Sequence, residues 1–539
     1  METKLPLTII DNQQLHYEND ILRIAVLGGV KLEGLDRLRV TLKVELKDSP
    51  RPALRHNMDL YNDTQLEKFI RKIAERMEIG TSVIAASLSE LTNHLESYRL
   101  QLLKDQSEQK QVKKQLTETE REEAIELLKS NNLLHTTNEL IGKSGVIGEE
   151  QNRLLMYIIF TFRKGRTPLH IISLGSSGTG KTHLQEKVGE LMPEEDKLEI
   201  TTLSENAFYY FGQRELKNKL ILIEDLDGAE NALYPLRELQ SKKRISKTIA
   251  HTNSKGERRT IHLVVEGPVS VAGCTTQEHI YEDNANRSFL IYLDESKEQD
   301  EKIMDYQRLL CAGKINIEEE SRIKNLLQNV QRLLQPIKII NPYAEYLRLP
   351  VAVFKPRRTN AHYLLFIEAI TFYKQYQRTQ QVDESTGEIY IHTEIEDIQE
   401  ANQLIKNILL RKSDELSGAC RNYFEKLKQY LQENKLTQFN NREIRKALRM
   451  PTSTQKRHTI ALIENYFIKK VKGTKERGYL YEIINSGEYN ELQNKITNVL
   501  DDTLLKIQQS GSGSLVAQTN SEPPKAKRSK ANKEKVQGN

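Results

Sequence analysis

A chain of 539 residues is longer than one ordinary hydrophobic core supports, so several domains are expected. Its residues are 29% charged and 37% hydrophobic with a net charge of +5, which marks a chain with much exposed helix and permits a nucleic-acid partner without demanding one. The 3 cysteines, Cys274, Cys311 and Cys420, never form a C-x-x-C pair; this excludes a disulfide framework, argues against structural zinc and makes a reducing cytoplasm the expected compartment. The beginning, METKLPLTIIDNQQ, lacks the basic and apolar regions of a signal peptide. The longest apolar run, LLMYIIFTF from Leu154, falls far short of the roughly 20 residues a bilayer needs. It is read as a buried helix, and no membrane partner is expected.

In chain order, ILRIAVLGGVKLEGLDRLRVTLKVEL alternates apolar residues on both sides of a Gly-Gly and predicts a small β-hairpin or meander. From DTQLEKFIRKIAERM onward the apolar spacing turns helical, with Asp63 as N-cap. These segments make up an N-terminal α+β module, residues 1–105. KDQSEQKQVKKQLTETEREEAIELL is polar on nearly every face, which predicts a solvated connecting helix within a charged linker, 106–139. A second domain, 140–378, begins near Leu140. Its strand-like runs LHIISL, KLILIE, RTIHLVV, PVSVAGC and SFLIYLD recur between helical stretches, the pattern of an α/β fold with a largely parallel sheet. Mostly helical sequence from Ser296 to about Arg378 forms its lid. A connector, 379–414, leads to a further unit, 415–486, and residues 487–539 are expected to form a disordered basic tail.

GSSGTGKT, Gly175 to Thr182, fits G-x-x-x-x-G-K-[ST] completely and lies between a predicted strand and a predicted helix. Gly175, Gly178 and Gly180 let the backbone wrap phosphates, with the amides of Ser176, Ser177, Thr179 and the helix start at Lys181, Thr182 and His183 facing the anion. Lys181 would bridge the β- and γ-phosphates of ATP, and the Thr182 hydroxyl would ligate Mg²⁺. KLILIEDLDG supplies the acidic strand end that such a site requires, in Glu224 and Asp225. The more common order is Asp for the metal shell and then Glu to polarise water; here the order is reversed, so which carboxylate does which is open. Asp227 is a weaker candidate. VSVAGCTT ends an apolar strand in hydroxyls, where Thr275, with Thr276 next, would sense the γ-phosphate or the attacking water. NRSF places Arg287 just before another apolar strand, from which an arginine could reach a neighbouring subunit's nucleotide. FKPRRT puts Arg357 and Arg358 at the start of a long helix, suited to a second phosphate sensor, for which Arg358 is chosen.

Taken in this order, these features resemble an AAA+ ATPase, most closely the replicative-helicase branch that includes the minichromosome-maintenance proteins. The likeness covers roughly Leu140 to Arg378. More specifically the chain resembles the ATPase portion of primase–helicase proteins of bacterial mobile elements, a likeness that extends to the N-terminal segments and the C-terminal unit. Fused members carry a zinc finger and a Toprim primase domain first; neither is visible here, so primer synthesis is not carried over. The resemblance implies a homo-oligomeric, hexameric ring, with a separate primase or a replication or recombination protein as a further partner.

Two segments point to DNA. KKRISKTIAHTNSKGERRTIHLVVEG reads as two strands around an SKGE turn, with Lys255 at the tip and Arg258 and Arg259 close behind. In replicative AAA+ helicases such an insert grips DNA in the central channel, and cations there track phosphates without reading bases. The rival reading is an exposed hairpin with solubilising charges. The second segment, NNREIRKALRM, TSTQKRHTIALIENYFI and KKVKGTKERGYLYEII, reads as two short helices and a basic hairpin, and resembles a winged helix-turn-helix. Ser453, Thr454, Gln455, Lys456 and Arg457 would face DNA, with Lys472, Lys475 and Arg477 on the wing; the alternative is a winged helix used for protein contacts. The expected function is an ATP-dependent DNA-acting motor, a replicative-type helicase or translocase. The alternatives are an AAA+ switch that recruits other proteins without unwinding, and an ATP-binding DNA regulator with negligible hydrolysis.

Overall fold

The computed structural model describes residues 7–11, 14–30, 37–109, 114–175, 177–204, 206–252, 258–276, 286–350, 353, 355–474 and 478–511, in two units that divide between Gln115 and Leu116. In the first unit the alternating segments form an antiparallel meander, β1 (Leu7–Asp11), β2 (Gln14–Glu18), β3 (Leu22–Leu27), β4 (Arg39–Leu46) and β5 (Leu54–Asp59), in sheet order β1-β2-β3-β4-β5. Its apolar face, including Tyr17, Ile24, Leu42 and Val44, packs with α1 (Asp63–Met77) and α2 (Thr81–Gln109) through Phe69, Ile73, Ile84 and Leu88. The N-cap of α1 is Asn62, whose side chain accepts from the Gln65 amide, one residue ahead of the expected Asp63.

The second unit begins earlier than the composition suggests. α3 (Glu118–Leu128) carries a Thr117–Glu120 capping box and buries Ala124, Leu127 and Leu128, so the latter half of the expected connector belongs to this unit's core. Three apolar residues spaced i, i+3 and i+4 are enough to seat a helix that is otherwise charged. α4 (Leu133–Lys143) and α5 (Glu150–Thr161) follow, the latter holding the long apolar run, in which Leu154 to Phe160 are all buried. No helix among the described residues is long and apolar enough to cross a membrane.

The central sheet contains β6 (Ile171–Leu174), β7 (Lys197–Ile200), β8 (Lys219–Ile223), β11 (Val269–Thr275) and β12 (Phe289–Tyr292), in the order β12-β6-β11-β8-β7 with every neighbour parallel. The chain leaves β6 through α6 (Lys181–Gly189) toward β7 at one edge and ends at β12 on the other side of β6. β6 is therefore the topological switch point, where a crevice opens at the carboxyl ends of the strands. After β8 come α7 (Leu233–Lys242) and a separate antiparallel ribbon, β9 (Arg244–Thr252) with β10 (Arg258–Glu266), in register from Arg258 opposite Thr252 to Glu266 opposite Arg244. RTIHLVV thus lies in this ribbon and not in the parallel sheet. The turn carrying Lys255 lies outside the described residues, as do the side chains of Arg258 and Arg259.

Helices α8 (Lys297–Cys311), α9 (Ile317–Leu333) and α10 (Pro356–Tyr373) follow the sheet, with β13 (Lys338–Ile340) pairing on β15 (Ile389–His392), which also pairs with β14 (Gln381–Val382). α11 (Ile395–Ser413) buries Ile398, Ala401, Ile405 and Leu409, so 379–414 is part of the core and not a mere connector. A last unit comprises α12 (Gly418–Glu433), β16 (Gln438–Asn440), α13 (Asn441–Ala447), α14 (Thr452–Glu464), β17 (Ile468–Thr474) and β18 (Gly478–Ile483), with sheet order β16-β18-β17. It has its own core around Phe424, Phe439, Ile444, Leu462 and Phe467. α15 (Glu488–Gly511) corrects the expected tail: Ile496, Leu500 and Ile507 are buried in the main core, packed through α11. Their spacing is helical, but the polar residues between them mask it in composition. Residues 512–539 lie outside the described ones.

Candidate nucleotide site

The loop after β6 turns sharply into α6, and the turn needs glycine: Gly178 has φ 84° and Gly180, the N-cap of α6, has φ 86°. A Cβ at Gly178 would meet nothing within 4 Å, so the requirement there is backbone conformation and not space. At the head of α6, Lys181 is only 7% exposed, and its ammonium donates to the Gly175 carbonyl at 2.9 Å. Burial pulls its pKa below the ordinary lysine value, opposed by the nearby carboxylates of Glu295, Asp227 and Asp225. A desolvated ammonium held inside a glycine loop at a helix N-terminus is fitted to a phosphate. Thr182 is half-buried beside it and His183 is exposed, while Ser176 lies outside the described residues.

α6 is latched to the two strands that carry the remaining chemistry. Gln185 Nε2 donates to the Ile223 carbonyl at the end of β8, at 3.1 Å, and Cys274 Sγ on β11 donates to Gln185 Oε1 at 3.6 Å. Burial pushes the Cys274 thiol up to about 11, with a hydrogen bond to Thr182 acting the other way. This cysteine is therefore a neutral packing group and not a nucleophile. Gln185 was not visible as a site residue in the sequence, because nothing in the phosphate motif specifies the residue four positions past its lysine.

At the end of β8 the three carboxylates separate. Glu224 is turned to the β7 side, where Thr201 Oγ1 donates to its Oε1 at 3.0 Å. Asp225 is exposed and accepts from the Asp227 amide at 2.9 Å. Asp227 accepts from Thr275 Oγ1 at 2.6 Å and from Thr276 Oγ1 at 3.1 Å. The hydroxyl strand end and the acidic strand end are thus joined through Asp227, the residue the sequence ranked lowest. The strand ends at Ile223, and Asp225, by accepting from the Asp227 amide, turns the chain so that Asp227 meets the β11 hydroxyls. Among the described residues no cluster of three or more His, Cys, Asp or Glu side chains could hold a metal. Mg²⁺ is commonly bound through one or two carboxylates together with substrate phosphates and water, and Thr182 with the β8 carboxylates fits that mode.

The two arginines lie elsewhere. β12 pairs with β6 from Phe289 opposite Ile171 to Tyr292 opposite Leu174, so Arg287 precedes the strands at their amino ends while the phosphate loop follows them at their carboxyl ends. Four residues of strand at about 3.3 Å each separate the two. Arg287 Nε donates to Ser241 Oγ at 2.9 Å, and its charge with burial lowers the His170 pKa to about 3, burial being the larger cause. Arg358 lies one helical turn before His362, whose ring stacks on Phe289 with centroids 5.5 Å apart. Arg358 and Lys355, after burial, pull Lys412 down to about 8. The structure therefore groups Arg358 with Lys355, His362 and Lys412; both Arg358 and Arg357 are exposed.

In the last unit Ser453, Lys456 and Arg457 are exposed on α14 and Lys472 on β17, whereas Lys475 and Arg477 lie outside the described residues. Gln455 is a correction: it is 3% exposed and donates to the Asn441 carbonyl at 2.6 Å, tying α14 to α13. Thr454 lines a cleft of about 130 Å³ that also includes Gly175.

A family described as the MTBMA_p00010 P-loop domain matches residues 117–335. An uncharacterized protein of Methanothermobacter marburgensis, MTBMA_p00010, is 22% identical over 324 residues, 56% of this chain and 38% of its own length. The chain thus matches well under half of that relative. Among solved structures, a candidate ATPase of Cytophaga hutchinsonii is 17% identical with a TM-score of 0.31, covering 54% of this chain and 96% of its own. The SCCmec type IV Cch active helicase is 11% identical with a TM-score of 0.23, covering 92% of this chain and 100% of its own. The glycine loop between β6 and α6, the all-parallel sheet and the family match agree: residues 117–335 form a P-loop domain of α/β architecture.

Proposed function

We propose that this chain is an ATP-hydrolysing AAA+ motor that acts on DNA, a replicative-type helicase or translocase of a mobile element working in the cytoplasm as a homo-oligomeric ring. The observation that carries the reading is the split placement of the charged groups. Lys181, Asp225, Asp227 and Thr275 gather at the carboxyl end of the sheet, while Arg287 stands at the amino end, away from the phosphate loop of its own chain. ATP and Mg²⁺ are held by the loop 175–182 with the β8 carboxylates, and Arg287 and Arg358 stabilise charge on the adjoining subunit's triphosphate. The β9–β10 ribbon, with Arg258, Arg259 and Lys255, takes the DNA backbone. The unit from α12 to β18, read as a winged helix, adds contacts through Thr454, Lys456, Arg457, Lys472, Lys475 and Arg477. A separate primase is the fitting partner.

Among the carboxylates, Asp225 holds the metal shell and polarises water together with Asp227, whose acceptor oxygens are aligned by Thr275 and Thr276. Asp227→Asn is expected to slow phosphate release about 10²-fold with nucleotide affinity nearly kept, and Glu224→Gln by less than about tenfold. Phosphate-release kinetics beside a fluorescent-nucleotide titration read both. A larger loss in Glu224→Gln would return the water-polarising role to Glu224.

A second reading, an AAA+ switch that recruits replication or recombination proteins without unwinding, is favoured by the packing of the last unit against the phosphate-loop edge. Hydrolysis measured with and without single-stranded DNA, alongside displacement of a labelled strand from a forked duplex, separates the two. Stimulated hydrolysis with displacement is expected for the motor. Stimulation without displacement supports the switch, and hydrolysis indifferent to DNA overturns both.

A further inference from the structure

The phosphate loop has a neighbour that no motif announces. α12 begins at Gly418 directly on the ring of Tyr292, where a Cβ would come within 1.9 Å of the ring carbon Cε1, so only glycine lets this helix lie at the end of β12. Two turns along α12, Lys426 Nζ stands 3.9 Å from Glu295 Oε2, three residues past Tyr292. The other oxygen of the same carboxylate, Oε1, is 4.0 Å from the position a Cβ on Gly175 would take, and Glu295 is among the negative groups acting on Lys181. One carboxylate therefore lies beside the phosphate loop at Gly175 and within reach of a lysine ammonium from the last unit. Lys426 and Gly175 also line the same cleft of about 130 Å³.

This arrangement has a direct electrostatic consequence. Lys426 adds positive charge at the mouth of a phosphate loop whose own lysine already faces Asp225, Asp227 and Glu295, and so favours an anion bound there. A triphosphate offers several oxygens where Glu295 offers two. The Lys426 side chain is 51% exposed, and its flexible four-carbon stem lets the ammonium turn from Glu295 to a nearby phosphate.

We propose that Lys426 is a phosphate-contacting residue of the nucleotide site, delivered by the C-terminal unit to the terminal phosphate of a nucleoside triphosphate bound in its own chain. The inference rests on the reading of residues 175–182 as an ATP site and extends it: the wall of that site facing α12 comes from the C-terminal segment with its own small core, and triphosphate binding holds that segment docked.

Equilibrium titration of the full chain with fluorescent ATP and ADP analogues tests this. The wild type, Lys426→Gln, Lys426→Arg and Lys181→Ala are compared, and thermal unfolding without nucleotide checks that each variant is folded. Lys426→Gln is expected to weaken ATP binding about tenfold. ADP binding should change little, and Lys426→Arg should restore most of the loss. A structural role for Lys426 would move both nucleotides together and the unfolding midpoint with them, which overturns the proposal. Equal ATP affinity in wild type and Lys426→Gln overturns it as well. Failure of the wild type to bind ATP at all, with Lys181→Ala no different, overturns the underlying site reading instead.

Discussion

Lys181→Ala is expected to abolish measurable ATP hydrolysis, a loss of at least about 10²- to 10³-fold of the kind seen when one preorganised charge donor is taken from a reacting centre. The size follows from the side chain's surroundings. Lys181 is almost fully buried and is held by the Gly175 carbonyl at the mouth of the loop, with its charge supported by Asp225, Asp227 and Glu295. An alanine leaves no cation within the glycine cradle to meet charge developing between β- and γ-phosphates. The same substitution should not lower the unfolding midpoint of the nucleotide-free chain, because burying an ammonium is itself costly. Phosphate release and a thermal melt on the same sample check both halves. Retained hydrolysis would show that the loop is not the reacting centre.

The second large effect concerns Arg287. On the ring reading, Arg287→Ala should slow hydrolysis about 10³-fold or more while sparing nucleotide binding, as expected for an arginine that stabilises transition-state charge from the next subunit. Its place before β12, at the opposite end of the strands from the phosphate loop, is what makes the test sharp. Neither Lys181→Ala nor Arg287→Ala should hydrolyse ATP alone. Mixed together, a Lys181→Ala chain can present its intact Arg287 to the competent loop of an Arg287→Ala chain, and activity should return in proportion to such pairs. A mixture as inert as its components would remove the action in trans. Arg287 would then be a positioning residue for α7 through Ser241.

The acidic strand shows why a local pattern locates a site without assigning its parts. An apolar run ending in carboxylates is legible because a buried parallel strand must be continuously apolar and must end where the crevice opens. Which of Glu224, Asp225 and Asp227 meets the hydroxyls of Thr275 and Thr276 depends on β11 lying between β6 and β8 in the sheet. That is a long-range pairing which the order of strands along the chain does not reveal. The apolar run from Leu154 was readable as a buried helix by its length alone. α15 was not, since its three buried residues are separated by polar ones, and only the groove beside α11 gives them something to pack against.

By itself the sequence determined the phosphate loop, the helix it opens, the alternation of strands and helices, the antiparallel ribbon before β11 and the likeness to AAA+ proteins. Each of these rests on interactions between residues near one another in the chain: glycine conformations, helix periodicity and turn chemistry. Only the tertiary structure decided that Asp227 joins the two strand ends, that Gln455 is buried, that Arg358 adjoins Lys412, and that Lys426 faces the loop across Glu295. Those are meetings of side chains far apart in sequence, fixed by which strands pair and which helices pack. Such packing leaves no periodic trace in the residues it brings together.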